Sequence, residues 1–181
     1  MALLARLGIT PDAIDPAAID ETVTEGELPA DHARRLALAK CASVAARHPD
    51  ALVLAADTVV AVGRRILPKA EDEATARNCL NLLSGCRHRV LTAIALAAPD
   101  GRIRSRLSTS LVRFKPLSTI EIDAYLVGGE WQGKAGGYAI QGTAEALIQR
   151  IDGSHSGIVG LPLAETRNLL LAAGWPGPAL G

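Results

Sequence analysis

The stretch Ala-Leu-Val-Leu-Ala-Ala-Asp-Thr-Val-Val-Ala-Val, residues 51–62, is apolar except for Asp57 and Thr58. A short apolar run of this kind predicts a buried β-strand. Burying an ionised carboxylate is costly unless a metal, a cation or hydrogen-bond donors meet it. Asp57 therefore requires a partner in the folded protein.

A second stretch, Lys-Ala-Gly-Gly-Tyr-Ala-Ile-Gln-Gly, occupies residues 134–142. Its glycines allow the backbone to approach a ligand closely, while Lys134 and Gln141 supply side-chain donors. The two stretches together predict a site for a small anionic molecule.

The composition restricts the classes of protein to which the chain can belong. Among its 181 residues, 19 basic side chains balance 19 acidic ones, so no net charge attracts a nucleic acid or a membrane surface. Aromatic residues make up 3% of the chain, too few for a surface that stacks many bases. Three cysteines without a Cys-x-x-Cys pair argue against a disulfide framework or a zinc knuckle. We expect a cytoplasmic protein that binds neither a nucleic-acid polymer nor a membrane.

Helices and strands are predicted by periodicity, caps and turn residues. Helices are expected at the start of the chain and over residues 31–47, 72–83, 118–127 and 162–173. Strands are expected over residues 51–62, 88–98, 102–114 and 146–151, with a polar loop over residues 152–160. The turn Pro99-Asp100-Gly101 joins two of these strands as a hairpin. No internal repeat or long linker divides the chain.

The second arm of this hairpin is predicted to have two faces. Ile103, Leu107 and Leu111 would face the core, because residues two apart along a strand share a face. The arginines beside them would face solvent rather than bind an anion.

Two candidate motifs are rejected from their context. Gly128 to Ala135 nearly matches the phosphate loop G-x4-G-K-[ST], but Ala135 lacks the hydroxyl that would hold magnesium, and a helix precedes the segment instead of a strand. His155, between two serines, is interpreted as a hydrogen-bonded surface residue rather than a catalytic base. No zinc-hydrolase or serine-esterase motif is found.

The acids and lysines that remain suit phosphoryl chemistry. Magnesium takes carboxylates, waters and substrate phosphates, and lysines act as point charges on phosphate oxygens. The group consists of Asp20, Glu21, Lys40, Asp57, Lys69 and Lys134. Glu21 also fits a loop acid and Lys40 a helix-surface lysine. Asp57 has no such alternative, because its surroundings are apolar.

In these residues the chain resembles the Maf family of nucleoside triphosphate pyrophosphatases, within the inosine-triphosphatase-like superfamily. The order and spacing agree over nearly the whole chain. The matching segments are Asp20-Glu21, Arg35-Leu36-Ala37 with Lys40, Ala56 to Val60, Leu82 to Gly85, His88-Arg89-Val90 with Thr92, Gly129-Glu130, Lys134 to Gly142, Gly153-Ser154 and Gly157 to Leu163.

The resemblance implies an α/β fold in a single domain over residues 1–181. This fold has a mixed, twisted sheet with flanking helices and two lobes around a cleft. The implied activity is metal-dependent hydrolysis between the α and β phosphates of a nucleoside triphosphate, which gives a monophosphate and pyrophosphate. The implied metal is Mg²⁺, Mn²⁺ or Co²⁺, and family members are commonly homodimers.

The resemblance also implies roles for the charged residues. Asp57 corresponds to the proton acceptor of the family and, with Glu21, to a metal ligand. Lys40 and Lys69 correspond to phosphate contacts, and Lys134 is expected to contact the substrate as well.

Two further residues correspond to the part of the family site that contacts the base. Thr58 and Gln141 match the subgroup that acts on dTTP and UTP. A glutamine amide offers a pyrimidine edge both a donor and an acceptor.

Two departures from the family pattern are visible. Leu67-Pro68-Lys69-Ala70 stands where glycine-lysine-proline is usual, which keeps the lysine in a changed loop. The strand and S-x-S-P-R-R phosphate loop that open the family have no counterpart, so the chain is expected to lack one strand and one phosphate cradle.

Two alternatives remain beside the enzyme. One is a nucleotide-binding or regulatory protein of weak or no activity, linked to cell division, which release of pyrophosphate would distinguish. The other is a structural α/β protein, which would leave Asp57 without a partner.

Overall fold

The computed structural model describes residues 2–175 and Gly177. Helices α1 to α6 span Ala2–Ala5, Pro29–Ala45, Glu73–Leu83, Thr119–Val127, His155–Val159 and Leu163–Ala172. Strands β1 to β5 span Val53–Val62, Arg65–Leu67, Arg87–Ala97, Ile103–Phe114 and Ile148–Asp152, and a short 3₁₀ helix, Thr143–Leu147, precedes β5.

The five strands form one sheet in the order β2-β1-β3-β4-β5, with helices packed on both faces. The α/β class is therefore confirmed. Each pairing between neighbouring strands of this sheet is antiparallel, whereas the resemblance implied a mixed sheet. Short turns join β1 to β2 and β3 to β4, and a connection of that length permits only antiparallel pairing.

Most predicted elements are present, and their caps explain where they begin. Asp72 accepts a hydrogen bond from the Thr75 amide at the start of α3, and Ser118 with Glu121 forms the expected capping box. Asp31 was predicted to cap α2, and this prediction is wrong. That helix begins two residues earlier at Pro29, whose fixed φ suits the first helical position.

The segment around β5 also differs from the prediction. The strand expected over residues 146–151 begins only at Ile148, because the 3₁₀ helix takes up the residues before it. The polar loop expected over residues 152–160 contains helix α5. Ser154 caps this helix by accepting a hydrogen bond from the Gly157 amide.

The prediction of the buried face of β4 is wrong except at Leu107, which packs against the apolar cluster on the α2 side of the sheet. Ile103 is 41% exposed, and the buried residues of the strand are Ser108, Ser110, Val112 and Phe114. The serines are buried because α5 packs over them, and the Ser110 hydroxyl contacts the backbone of Ser154.

Apolar clusters lie on both faces of the sheet. Helix α2 packs Ala37 and Cys41 against Val59 and Ala61 on one face. On the other face α3, α4 and the glycine-rich loop of residues 134–142 pack around Phe114. Its complete burial contributes about 2 kcal/mol to stability. Because successive side chains of a strand alternate, neighbouring residues of β1 reach different faces.

None of the helices in residues 2–175 is both long and apolar enough to cross a membrane.

His88 is a buried titratable residue in the larger core. Its Nε2 lies 2.8 Å from the Tyr138 hydroxyl, and its ring packs against Phe114. Within the described part of the chain its Nδ1 has no hydrogen-bond partner. Burial lowers the pKa of His88 from 6.5 to about 4.

This buried histidine predicts acid sensitivity of the fold. Below pH 6.5 the unfolded chain protonates His88, while the folded protein excludes that proton until the pH approaches 4. The free energy of unfolding should therefore decrease as the pH is lowered, by about 2 kcal/mol between about pH 7.5 and about pH 5. Denaturant unfolding at the two pH values measures the loss. The variant His88→Gln should lose about 2 kcal/mol less than the parent over the same interval, and an equal loss in both proteins would refute the assignment.

Candidate active site

A cavity of about 280 Å³ opens beside β1, between α2 and the glycine-rich loop of residues 134–142. Six of the seven predicted site residues line it: Lys40, Asp57, Thr58, Lys69, Lys134 and Gln141. The seventh, Glu21, contacts two of the lining lysines. The structure thus brings together residues that are up to 120 positions apart in the sequence.

Two lysines and two carboxylates form a continuous charged chain at one end of the cavity. Lys40 Nζ lies 2.7 Å from Asp57 Oδ1 and 2.7 Å from Glu21 Oε1, and Lys69 Nζ lies 2.5 Å from Glu21 Oε2. The Asp57 side chain is only 6% exposed, whereas that of Lys69 is 47% exposed. Lys40 is therefore the cationic partner that buried Asp57 requires.

The charged chain fixes the protonation states of Glu21 and Lys40. Hydrogen bonds from Lys40 and then Lys69 lower the pKa of Glu21 to about 2. Burial acts to lower the pKa of Lys40, but the hydrogen bonds to Asp57 and Glu21 outweigh it and raise that pKa above its ordinary value. Glu21 is consequently ionised and Lys40 protonated at neutral pH.

A neighbouring arginine holds the segment that carries Glu21. Arg35 on α2 places Nε 2.7 Å from Glu27 Oε1 and donates from Nη2 to the Thr22 carbonyl at 2.9 Å. These bonds tie the segment that follows Glu21 to the helix that carries Lys40. The resemblance includes Arg35, but sequence reasoning assigned it no role, because no local pattern connects it with residues 22 and 27.

Backbone hydrogen bonds place Lys69 in the cavity. Ala70 N donates to the Lys134 carbonyl at 3.0 Å, and Gly136 N donates to the Pro68 carbonyl at 3.0 Å. The segment of residues 68–70 is thus paired with the glycine-rich loop. The changed loop around Lys69 keeps that lysine beside Glu21.

Glycine is required where this loop approaches β1. Gly136 has φ +70°, a conformation that other residues rarely adopt, and a Cβ added there would lie 2.8 Å from Val60 Cγ1. The loop continues to Ala139, whose amide donates to the Tyr125 hydroxyl at 3.1 Å. The side chain of Tyr138 is anchored in the core by His88.

The other end of the cavity carries less charge. Thr58, Ile158, Val159 and the exposed Gln141 line it. Since Asp57 and Thr58 are consecutive in β1, their side chains lie on opposite faces of the sheet. The cavity therefore joins a charged half on the α2 side to a more neutral half on the α5 side.

Comparison with known proteins places this arrangement in a family. Residues 1–173 match a family model described as Maf-like protein. The chain belongs to the Maf family. This confirms the resemblance inferred from the sequence.

Close relatives in the Maf family share most of their length with this chain. A dTTP/UTP pyrophosphatase from Paramagnetospirillum magneticum is 64% identical over 93% of this chain and 88% of its own. Proteins of the same name from Novosphingobium aromaticivorans and Caulobacter vibrioides are 60% and 58% identical, each over 96% of this chain and over 87% and 90% of their own.

The carboxylates of this Maf protein suit a metal site that is completed by the substrate rather than one formed by protein ligands alone. Within residues 2–175 no three His, Cys, Asp or Glu side chains are grouped so that they could hold a metal ion. Glu21 and Asp57 both contact Lys40 and so lie close to each other. Magnesium commonly binds one or two carboxylates together with substrate phosphates, and this donor set fits that mode.

The structure agrees with the rejection of the phosphate loop and with the surface position predicted for His155. Helix α4 precedes the segment of residues 128–135, as the rejection of a phosphate loop assumed. His155 is exposed at the start of α5 and does not line the cavity.

Proposed function

We propose that this protein hydrolyses dTTP and UTP to the nucleoside monophosphate and pyrophosphate. The observation that carries the proposal is the meeting of Asp57, Glu21, Lys40 and Lys69 at one end of a cavity large enough for a small ligand. The relatives named dTTP/UTP pyrophosphatase support the choice of substrate. The chain's even balance of acidic and basic residues favours a free nucleotide over a polymer.

The charged half of the cavity would bind the triphosphate. Lys69 is half-exposed, and Lys134, whose carbonyl accepts a hydrogen bond from Ala70, lines the same cavity, so both ammonium groups would meet phosphate oxygens. Lys40 is more deeply placed and would offset charge that develops as the bond between the α and β phosphates breaks. Because more than one ammonium group borders this half of the cavity, the site favours a ligand that carries several negative charges.

Asp57 would accept the proton of the attacking water. Its carboxylate is nearly buried, is held by a hydrogen bond to Lys40 and borders the cavity. Such a fixed, partly desolvated carboxylate can act as a general base when water lies within hydrogen-bond reach.

Asp57 and Glu21 would also hold a divalent cation, Mg²⁺, Mn²⁺ or Co²⁺, together with the substrate. When bound, that cation supplies positive charge against the phosphates. With Glu21 neutralised in this way instead of by the two lysines, the Lys69 ammonium group would turn toward phosphate oxygens. Lys40 would face the phosphates while it keeps its hydrogen bond to Asp57.

The neutral half of the cavity would bind the base. Thr58 and Gln141 provide polar groups, and Ile158 provides an apolar wall for a flat ring. We further propose that the enzyme acts in the cytoplasm, which its free cysteines support, and that it is a homodimer, which the family resemblance supports.

A panel of triphosphates tests the proposal. UTP, dTTP, CTP and GTP would each be incubated with magnesium, manganese or cobalt, and pyrophosphate and orthophosphate measured separately. We expect pyrophosphate from UTP and dTTP, with loss of turnover after chelation. Tight binding without release of pyrophosphate would favour the alternative of a regulatory nucleotide-binding protein.

Gln141→Glu should change base preference more than it changes phosphate chemistry. The substitution replaces an amide donor with a carboxylate at the base end and leaves the lysine cluster intact. Hydrogen-bonded base recognition is sensitive to such a change, because polar groups that a bound base covers would be left unmatched. Relative kcat/KM values for UTP, dTTP, CTP and GTP measure the effect. Unchanged ratios would place the base away from Gln141.

A further inference from the structure

The hydroxyl of Thr58 is the end of a hydrogen-bonded chain that runs into the core. Thr58 pairs with Thr92 across β1 and β3, and their Oγ1 atoms lie 2.9 Å apart. Thr92 Oγ1 in turn lies 2.7 Å from the carbonyl oxygen of Gly157 in α5. Thr92 is 1% exposed, so water does not compete for these bonds.

The direction of this chain follows from the chemistry of its last member. A carbonyl oxygen only accepts, so Thr92 must donate its single hydroxyl hydrogen to Gly157. Thr92 then has no hydrogen for Thr58. The contact between the two threonines therefore has Thr58 as donor and Thr92 as acceptor.

Thr58 consequently presents only lone pairs to the cavity. Its one hydrogen is committed to Thr92, while its oxygen remains able to accept. Phosphate oxygens at neutral pH are acceptors, so Thr58 does not suit the triphosphate. It suits a ligand group that donates a hydrogen bond.

We infer that Thr92 is a positioning residue that fixes Thr58 as a hydrogen-bond acceptor and so selects a base whose ring nitrogen carries a hydrogen. Uracil and thymine carry a hydrogen on N3, whereas N3 of cytosine is an acceptor and would oppose the lone pairs of Thr58. This inference rests on the proposed function, since it requires the base to bind at the Thr58 end of the cavity. It adds a residue that does not itself line the cavity.

The surroundings of the pair keep the direction fixed. On this face of the sheet the threonines lie between apolar neighbours, Val60 and Val90 on one side and Ala56 and Ile94 on the other. These side chains offer no competing donor or acceptor. Ser108 pairs with Thr92 across β3 and β4, but among the described residues its hydroxyl makes no hydrogen bond to either threonine.

The kinetic test compares Thr92→Val with Thr92→Ser. Valine matches the shape of threonine but releases the Thr58 hydroxyl to rotate and donate, whereas serine keeps the chain. We expect the ratio of kcat/KM for UTP to that for CTP to fall roughly tenfold in Thr92→Val, mainly through KM, and to stay near the parent value in Thr92→Ser. An unchanged ratio in a folded Thr92→Val protein would overturn the inference.

A double-mutant comparison separates positioning from a general structural effect. In the Thr58→Val background, adding Thr92→Val should cause no further change in the ratio, because the hydroxyl that Thr92 orients is already absent. Independent, additive changes would show that Thr92 acts by another route. If Thr92→Val alone does not fold, the Thr58→Val protein still tests whether the Thr58 hydroxyl discriminates UTP from CTP. An unchanged ratio in that protein would overturn the inference.

Neutron diffraction from crystals exchanged into D₂O tests the direction without any turnover. We expect the Thr58 deuteron to point at Thr92 Oγ1 and the Thr92 deuteron to point at the Gly157 carbonyl. A Thr92 deuteron directed at Thr58 would overturn the inference. A parent protein that releases no pyrophosphate from UTP would instead overturn the proposed function and the base preference with it, while the deuteron positions would still decide the role of Thr92.

Discussion

Asp57→Asn is expected to lower kcat for UTP and dTTP by roughly a hundredfold or more, with little change in stability. The amide keeps the shape of the carboxylate and can still accept a hydrogen bond from Lys40, but it cannot take a proton from water. Lys40 also keeps its 2.7 Å contact with Glu21, so no buried charge is left without a partner. Steady-state release of pyrophosphate and thermal unfolding measure the two effects.

Asp123→Asn is the matched control for this substitution. Asp123 is a half-exposed acid on α4 that pairs with Arg77 at 2.5 Å, and it does not line the cavity. The same chemical change there should leave kcat near the parent value. Parent-like turnover in Asp57→Asn would remove Asp57 from the reaction.

Lys40→Met should reduce both activity and stability. Methionine fills a similar volume without charge, so Asp57 loses its cation while its side chain remains 6% exposed. Removing one partner of a buried ion pair typically costs about 3–5 kcal/mol, and the partial exposure of Lys40 places the expected loss near about 3 kcal/mol. We also expect kcat/KM for UTP to fall roughly a hundredfold, because the cation that we propose to face the phosphates is lost. Chemical unfolding and initial rates measure the two quantities.

Lys115→Met provides the comparison for charge removal alone. Lys115 pairs with Glu121 at the start of α4 and is about one-third exposed. Its removal should leave kcat/KM unchanged and cost less than about 1 kcal/mol, as is usual for an exposed pair. A Lys40→Met protein as stable and active as Lys115→Met would show that the charged chain at the cavity has no role.

Much of the site could be predicted because some of its residues are of a type that does not fit the local sequence around them. An aspartate within the apolar strand β1 required a metal, a cation or hydrogen-bond donors, and the structure supplies Lys40. The glycines of residues 134–142 indicated close approach of backbone, and Gly136 packs against Val60 with positive φ. Such conflicts are visible in the sequence because the cost of leaving them unresolved is high.

The features that were missed depend on tertiary contacts. The serines of β4 are polar, so alternation placed them toward solvent, yet α5 covers them and Ser110 bonds to Ser154. The start of α2 was misplaced because Asp31 and Pro29 both fit helix starts, and proline determined the first turn. Neither competition can be resolved from local pattern alone.

The roles of residues that act by positioning other residues could not be predicted from the sequence. Arg35 holds the segment of Glu21 through Glu27, and Thr92 determines the direction of the Thr58 hydroxyl. Their partners lie 8 and 34 positions away. Only the fold brings these groups together, so their positioning roles emerge from the structure.

Phosphorus NMR of the products of UTP hydrolysis tests the central claim most directly. With UTP and a divalent metal, the parent protein should convert the three phosphate resonances into those of UMP and pyrophosphate, and Asp57→Asn should leave UTP largely intact over the same time. Formation of UDP and orthophosphate would contradict cleavage between the α and β phosphates. Unchanged UTP with the parent protein at saturating substrate and metal would contradict the proposed enzyme altogether.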